Sequence, residues 1–233
     1  MTISNPKAAY RQAVLDGAPF ILVAVPFAMV FGLLAVEAGL PVVQVMVFSG
    51  AVIAGAAQFT ALGLMTDGAP TIIVLLTALA VNLRMAMYSA ALAPYLGPAP
   101  LWQRALAAFV LFDQTYAASA LRFEENPGWS VPTRMAYYAG SATPVVPAWL
   151  LGTFLGAVTG SALPEWLALD FAVPICFLAL IGPMLRSPAH IAAAMTSVVM
   201  ALAFAWLPYS LGLIVAGLIA MLVGAEIDRR MSR

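Results

Sequence analysis

Four stretches of this chain carry no charged side chain: Gly17 to Val36, Ala38 to Thr66, Met135 to Pro164 and Ser187 to Ala225. Each reaches or exceeds the roughly 20 residues with which an α-helix crosses the hydrocarbon of a bilayer. A water-soluble globule has no use for runs of this kind, because its helices need a polar face to meet solvent. Composition agrees: 64% of residues are hydrophobic, 9% are charged, and the mean hydropathy is +0.99. The runs lack the dyad alternation of an outer-membrane barrel strand, and a helix is the other element that satisfies its own backbone in lipid. The expected fold is all-α: a polytopic transmembrane helical bundle forming a single membrane domain over residues 1 to 233, with room for broken or re-entrant helices.

Turn chemistry divides the runs into about eight membrane segments: Ala18 to Val36, Val42 to Met65, Thr71 to Ala93, Ala105 to Leu121, Met135 to Val158, Phe171 to Leu185, Ile191 to Trp206 and Tyr209 to Gly224. Gly39-Leu-Pro41, Asp67-Gly-Ala-Pro70 and the proline-rich stretch from Pro94 to Pro100 are helix-interrupting punctuation. Leu207-Pro208 splits the last run, 39 residues long, into a helical hairpin. Of these segments, Phe171 to Leu185 is short enough to be re-entrant. With the N-terminus inside, eight Lys and Arg residues fall on the cytoplasmic side, Arg104 alone falls outside, and Arg84 lies within the membrane. That bias predicts a multi-pass protein of the bacterial cytoplasmic membrane with both termini cytoplasmic.

Several function classes find no support. The formal charge is zero and no basic tract stands outside the short termini, so nothing points to nucleic acid. The single cysteine, Cys176, has no intrachain partner. No His/Cys/Glu grouping, phosphate loop or HExxH pattern marks an intramembrane enzyme, a metal site or a cofactor. His190 sits beside Arg186 at a segment edge and reads as an interfacial residue.

Arg84 and Asp113 are different, because each lies in the middle of an apolar segment. An ionisable group at bilayer depth costs about 2.5 to 3.5 kcal/mol on insertion scales, so such residues face a partner, a cavity or a substrate path. Arg84 and Tyr88 are four apart and share a helix face, while Asn82 joins them only if the helix is locally distorted. The Arg84 guanidinium suits a carboxylate, whether that of Asp113 or that of a small substrate. A purely structural Arg84 to Asp113 pair is the competing reading. In the second segment, Ser49-Gly50-Ala-Val-Ile-Ala-Gly55-Ala-Ala-Gln58 combines small residues, suited to close packing or a local break, with a buried-depth amide. Gly152, Gly156 and Gly160, spaced four apart, make a smooth strip for a neighbouring helix or a partner.

The same segments resemble the AzlC family of bacterial branched-chain amino-acid exporters. The resemblance is carried in order by Ser49 through Gln58-Phe59, by Asn82-Leu-Arg84 with Tyr88-Ser89, by Asp113-Gln-Thr-Tyr116 and by Phe171-Ala-Val-Pro174-Ile-Cys-Phe177. It implies the large subunit of a secondary transporter exporting small hydrophobic amino acids, working with a small AzlD-type membrane subunit. Arg84, Asp113, Gln58, Asn82 and Tyr88 are the expected substrate-binding residues, with Arg84 on the carboxylate and Asp113 on the amino group or a proton. Where many relatives carry His after the Asn-x-Arg element and Glu after the Asp, this chain has Met85 and Gln114. Any proton coupling then rests on Asp113 or on the partner. A non-transporting assembly subunit is the alternative from another class.

Overall fold

The computed structural model describes residues 5–159, 185, 187–207 and 211–231. Among them every regular element is helical, and the chain sorts into two compact units, Met1–Gln58 with Val81–Leu167 and Phe59–Ala80 with Ala168–Arg233. Four helical runs among these residues are long and apolar enough to cross a membrane: Pro6–Glu37, Thr71–Leu96, Val131–Thr159 and Leu211–Met231.

The first unit opens with α1 (Pro6–Gly17), which passes through a 3₁₀ turn at Ala18–Phe20 into α2 (Ile21–Glu37). Asn5 starts it by accepting the Lys7 N–H at 2.9 Å, and Pro6 occupies the first helical position, where its missing N–H costs nothing. At the other end, Gly39 N–H donates to Val36 O at 2.9 Å and Leu40 N–H to Ala35 O at 3.0 Å. That paired closure needs a left-handed residue, and Gly39 supplies it with φ +89°. Pro41 then launches α3 (Val42–Ala51). The Gly-x-Pro device recurs between α4 (Gly55–Thr66) and α5 (Thr71–Val81), where Gly68 has φ +68° and Pro70 follows.

α9 (Val131–Thr159) is the axis of the first unit, and α1 and α2 run parallel to it. Gly140 lies against Tyr10 and Ala13, Gly152 against Val25 and Ala28, and Gly156 against the Met29 carbonyl. A Cβ at Gly152 would come within 2.9 Å of Val25 O. The strip at Gly152 and Gly156 is therefore occupied by helix packing within the chain, not offered to a partner; Gly160 falls outside the described residues. Three polar side chains lock α3 to α9: Trp149 Nε1 donates to Ser49 Oγ at 2.9 Å, and Ser49 shares a 2.9 Å bond with Thr153.

The segment expected at Ala105 to Leu121 is not one continuous helix. It folds as a hairpin of α7 (Leu101–Phe109) and α8 (Asp113–Glu125), joined by Val110 to Phe112. Contacts set the directions. α8 runs parallel to α6 (Leu83–Leu96), since Arg84 meets Asp113, Tyr88 stacks on Tyr116 and Tyr95 packs on Phe123. α7, lying between them in sequence, must run back. Tyr138, early in α9, donates to Ala107 O at 2.8 Å, and Pro98 to Pro100 share a cavity wall with Val131 and Pro132. Ala99 and the Asn126 to Ser130 loop thus lie at the same end of the unit. A 13-residue α8 rises about 20 Å, less than the roughly 30 Å of a bilayer's hydrocarbon, and Asp113 stands at its far end.

The same end holds the start of α1, because α1 runs parallel to α9, with Tyr10 and Ala13 against Gly140 and Gly17 against Ser141, and Asp16 in its last turn pairs with Arg122 at 3.2 Å. Lys7, Arg11, Arg104, Arg122 and Arg134 all gather there. Arg104, which the expected topology sets apart from the other cations, stands at this end because α7 runs back from it.

Two further segments expected to be continuous are interrupted. Val42 to Met65 breaks at Val52 to Ala54, and Thr71 to Ala93 breaks at Asn82. In the second unit, α10 (Pro188–Ala203) and α11 (Leu211–Met231) form the expected antiparallel hairpin, with Gly212 against Phe204 and Gly224 against Ala193. The Phe171 to Leu185 segment, Cys176 included, lies outside the described residues apart from Leu185.

Candidate functional site

Four helices of the first unit, α3, α6, α7 and α8, begin or end at these interruptions, and the polar residues singled out from sequence sit beside them. Asn82 is the residue between α5 and α6, with φ −83° and ψ −1°. Two residues later Arg84 emerges in the first turn of α6, and Tyr88 follows one turn on. Across from them, Asp113 is the first residue of α8. Free N–H groups at a helix start favour negative charge, so α8 supports a carboxylate at that position.

The break before α8 is built without glycine or proline. Phe112 is extended, with φ −143° and ψ 172°. Thr115 Oγ1 accepts the Phe112 N–H at 3.1 Å, capping the helix, while its own hydroxyl donates to Phe112 O at 2.9 Å. Leu111 and Phe112 are buried, which anchors the turn, and Tyr138 holds the carbonyl of Ala107 on the preceding leg.

Arg84 Nη1 lies 3.0 Å from Asp113 Oδ2, and the Tyr88 hydroxyl donates to Asp113 Oδ1 at 3.0 Å. Both carboxylate oxygens are thereby engaged from α6. Tyr88 stacks on Tyr116 with centroids 4.1 Å apart and planes within 9°. The ion pair is not sealed: the Arg84 and Asp113 side chains remain 30% and 22% exposed. Arg84 Nε and Asn82 Oδ1 are buried with no hydrogen-bond partner among the described residues. A guanidinium carries five N–H donors, so Arg84 retains capacity for a second anion.

The structure thus brings Arg84, Asp113 and Tyr88 into direct contact and sets Asn82 at the helix break beside them. Gln58 does not bond to any of the three. It is fully buried on α4, one turn from the interruption at Val52 to Ala54, and neither amide atom has a partner among the described residues. Gly55, which starts α4, lies so close to Phe27 and Trp149 that a Cβ would reach within 2.8 Å of the indole. Of the small-residue cluster, Gly55 is therefore the one held by close packing, whereas Gly50 faces open space.

Sequence reasoning names Thr115 and Tyr116 only within the Asp113-Gln-Thr-Tyr116 element and gives them no place in the site. Their signal was there: Tyr116 is three residues beyond Asp113, within reach of the same α8 face, and Thr115 sits at the third helical position, where a hydroxyl can cap. A second polar cluster was also missed. Asp16 accepts from Tyr137 OH at 2.6 Å, Gln12 Nε2 at 2.7 Å and Arg122 Nε at 3.2 Å, tying α1, α8 and α9 together near the cation-rich end.

Comparison with known proteins places all five expected site residues inside one match. The family described as AzlC protein matches residues 19–163. An uncharacterized membrane protein of Archaeoglobus fulgidus is 31% identical over 219 residues, covering 92% of this chain and 93% of its own length. The inner membrane protein YgaZ of Escherichia coli is 28% identical over 179 residues, covering 74% of this chain and 71% of its own length. No solved structure matches.

Proposed function

The chain belongs to the AzlC protein family, and from that membership we propose that it is the large subunit of a secondary transporter exporting small hydrophobic amino acids, branched-chain ones among them. The observation that carries this reading is the partly exposed Arg84–Asp113 pair at the ends of interrupted helices. Broken membrane helices whose termini meet near mid-bilayer are a recurring way to build a transporter site.

The pair fits a zwitterion. Arg84 and Asp113 neutralise each other at 3.0 Å. An entering amino acid splits them: its carboxylate takes the guanidinium, including the free Nε, and its ammonium takes the Asp113 carboxylate. The first turn of α6 adds its helix dipole to the attraction for the carboxylate. Net charge at the site is zero before and after loading, so neither state leaves an isolated charge in lipid, where it would be costly. Tyr88 holds Asp113 in place, and the Tyr88–Tyr116 stack offers an apolar wall to the substrate side chain. Asn82 and Gln58 complete the polar lining in this reading, through amide atoms that are buried without partners among the described residues.

The cation-rich end of the first unit is assigned to the cytoplasm by the positive-inside bias. A small AzlD-type membrane subunit is proposed as partner on the family resemblance. Counterflow of radiolabelled leucine into proteoliposomes, with and without that subunit, tests the reading: leucine-dependent exchange supports it. A complete absence of amino-acid exchange in both preparations refutes it.

A further inference from the structure

Between α6 and α7 lies a cavity of about 420 Å³, within the range of small-molecule clefts. Its walls are apolar, formed by Leu92, Leu96, Ala107 and Leu111, all buried residues of the core cluster. Arg104 and Gly97 stand at the end where the cations gather. At the other end the lining includes Ser89, the neighbour of Tyr88, and Leu111, two residues before Asp113. The cavity therefore leads from the cation-rich end toward the interruption that presents the ion pair. Leu92 lies one turn beyond Tyr88 and two beyond Arg84, so the stripe of α6 that carries the site continues into the cavity wall.

Arg104 is exposed, and no ion pair or hydrogen bond engages its side chain among the described residues. Arg122 and Arg134 at the same end are both engaged, by Asp16 and Glu125 and by the Pro127 carbonyl. An unengaged guanidinium at the mouth of an apolar chamber fits one ligand chemistry best: a small molecule with a carboxylate and an apolar body.

We propose that this cavity is a loading vestibule in which a small apolar amino acid docks from the cytoplasm, its carboxylate on Arg104 and its side chain among Leu92, Leu96 and Leu111, before it moves inward to Arg84 and Asp113. The inference rests on the transport reading and adds to it a first binding step on one side of the membrane. It also gives a use to α7, whose re-entrant course creates the chamber. Charge at a cleft mouth acts on encounter, so the step governs apparent affinity rather than turnover.

Inverted membrane vesicles, which expose the cytoplasmic face, provide the test through the initial rate of leucine uptake at graded concentration. Arg104→Glu is expected to raise KM by about tenfold while leaving the maximal rate near that of the unmodified protein, and Arg104→Lys, which keeps the charge and loses the planar fork, to raise KM less than Arg104→Glu does. The Arg104→Glu effect should shrink as salt is raised, because the Debye length falls to about 8 Å at physiological ionic strength. Ala108→Phe, which fills the chamber from α7, should raise KM without changing the salt response; melting in detergent confirms that the variants are folded. Unchanged KM in both Arg104→Glu and Ala108→Phe, with normal leucine uptake, would overturn the vestibule and leave the transport reading standing. Retention of a phospholipid by the unmodified protein in native mass spectrometry, lost on Arg104→Glu with KM unchanged, would assign the chamber to lipid instead. Absence of amino-acid flux in the unmodified protein would overturn both readings.

Discussion

Arg84→Lys keeps a positive charge beside Asp113 and removes the planar fork, so it separates binding from scaffolding. The Arg84–Asp113 contact is 3.0 Å long, and the side chains are 30% and 22% exposed. A lysine keeps the positive charge beside Asp113, so what it gives up is at most one hydrogen bond's net contribution, about 0.5 to 1.5 kcal/mol. The expected loss of stability is therefore no more than about 1.5 kcal/mol. Binding is affected more. A lysine cannot offer the guanidinium's second donor, Nε, to a substrate carboxylate, and a charge-assisted hydrogen bond is worth about 1.5 to 3 kcal/mol. With about 1.4 kcal/mol per tenfold, leucine affinity should fall by roughly 10- to 150-fold. Substrate efflux from proteoliposomes and thermal unfolding in detergent, measured on one preparation, read the two quantities side by side. Efflux within about twofold of the unmodified protein, a change under 0.5 kcal/mol, would refute the assignment of Arg84 to the substrate carboxylate.

Two other outcomes follow from the fold. Cysteines introduced at Ala99 and at Gly128 should label from the same side of the membrane, because both loops lie at the end where α6 and α8 finish and α9 begins; labelling from opposite sides would show that α7 and α8 cross. Gly156→Leu should lower the unfolding temperature, since the new side chain must displace the Met29 backbone, an overpacking cost of about 1 to 3 kcal/mol; unchanged stability together with loss of a partner subunit would return that strip to an intersubunit role.

The residues that proved legible were those whose chemistry is costly in lipid. Arg84 and Asp113 stood out as charges in apolar segments, and they meet. Gly39 with Pro41 and Gly68 with Pro70 marked helix ends, and both glycines adopt the positive φ that the closing hydrogen bonds require. The interruption at Val110 to Phe112 was invisible for the converse reason. Its residues are apolar, and what opens the helix is distant or side-chain specific: the Thr115 hydroxyl that caps α8 and the Tyr138 hydroxyl that holds Ala107 O. Length misled as well, because a short apolar run from Ala105 to Leu121 suits one crossing as readily as two half-helices. With that run taken as one crossing, Arg104 stands apart from the other cations; with α7 and α8 as a hairpin, it lies at the same end of the unit as Arg122 and Arg134. The small-residue strip on α9 was read as a contact surface, and it is one; its counterpart, the backbone of α2, became identifiable only through packing.

The central claim is that Arg84 and Asp113 handle substrate rather than hold two helices together. Removing either alone leaves the other charge without its partner, so stability falls in both accounts; removing both is the discriminating step. Leucine efflux and thermal stability of Arg84→Leu/Asp113→Leu, measured beside each single variant, give the most direct test. The expected result is stability restored to near that of the unmodified protein with efflux abolished; restored stability with normal efflux would show that neither residue handles substrate.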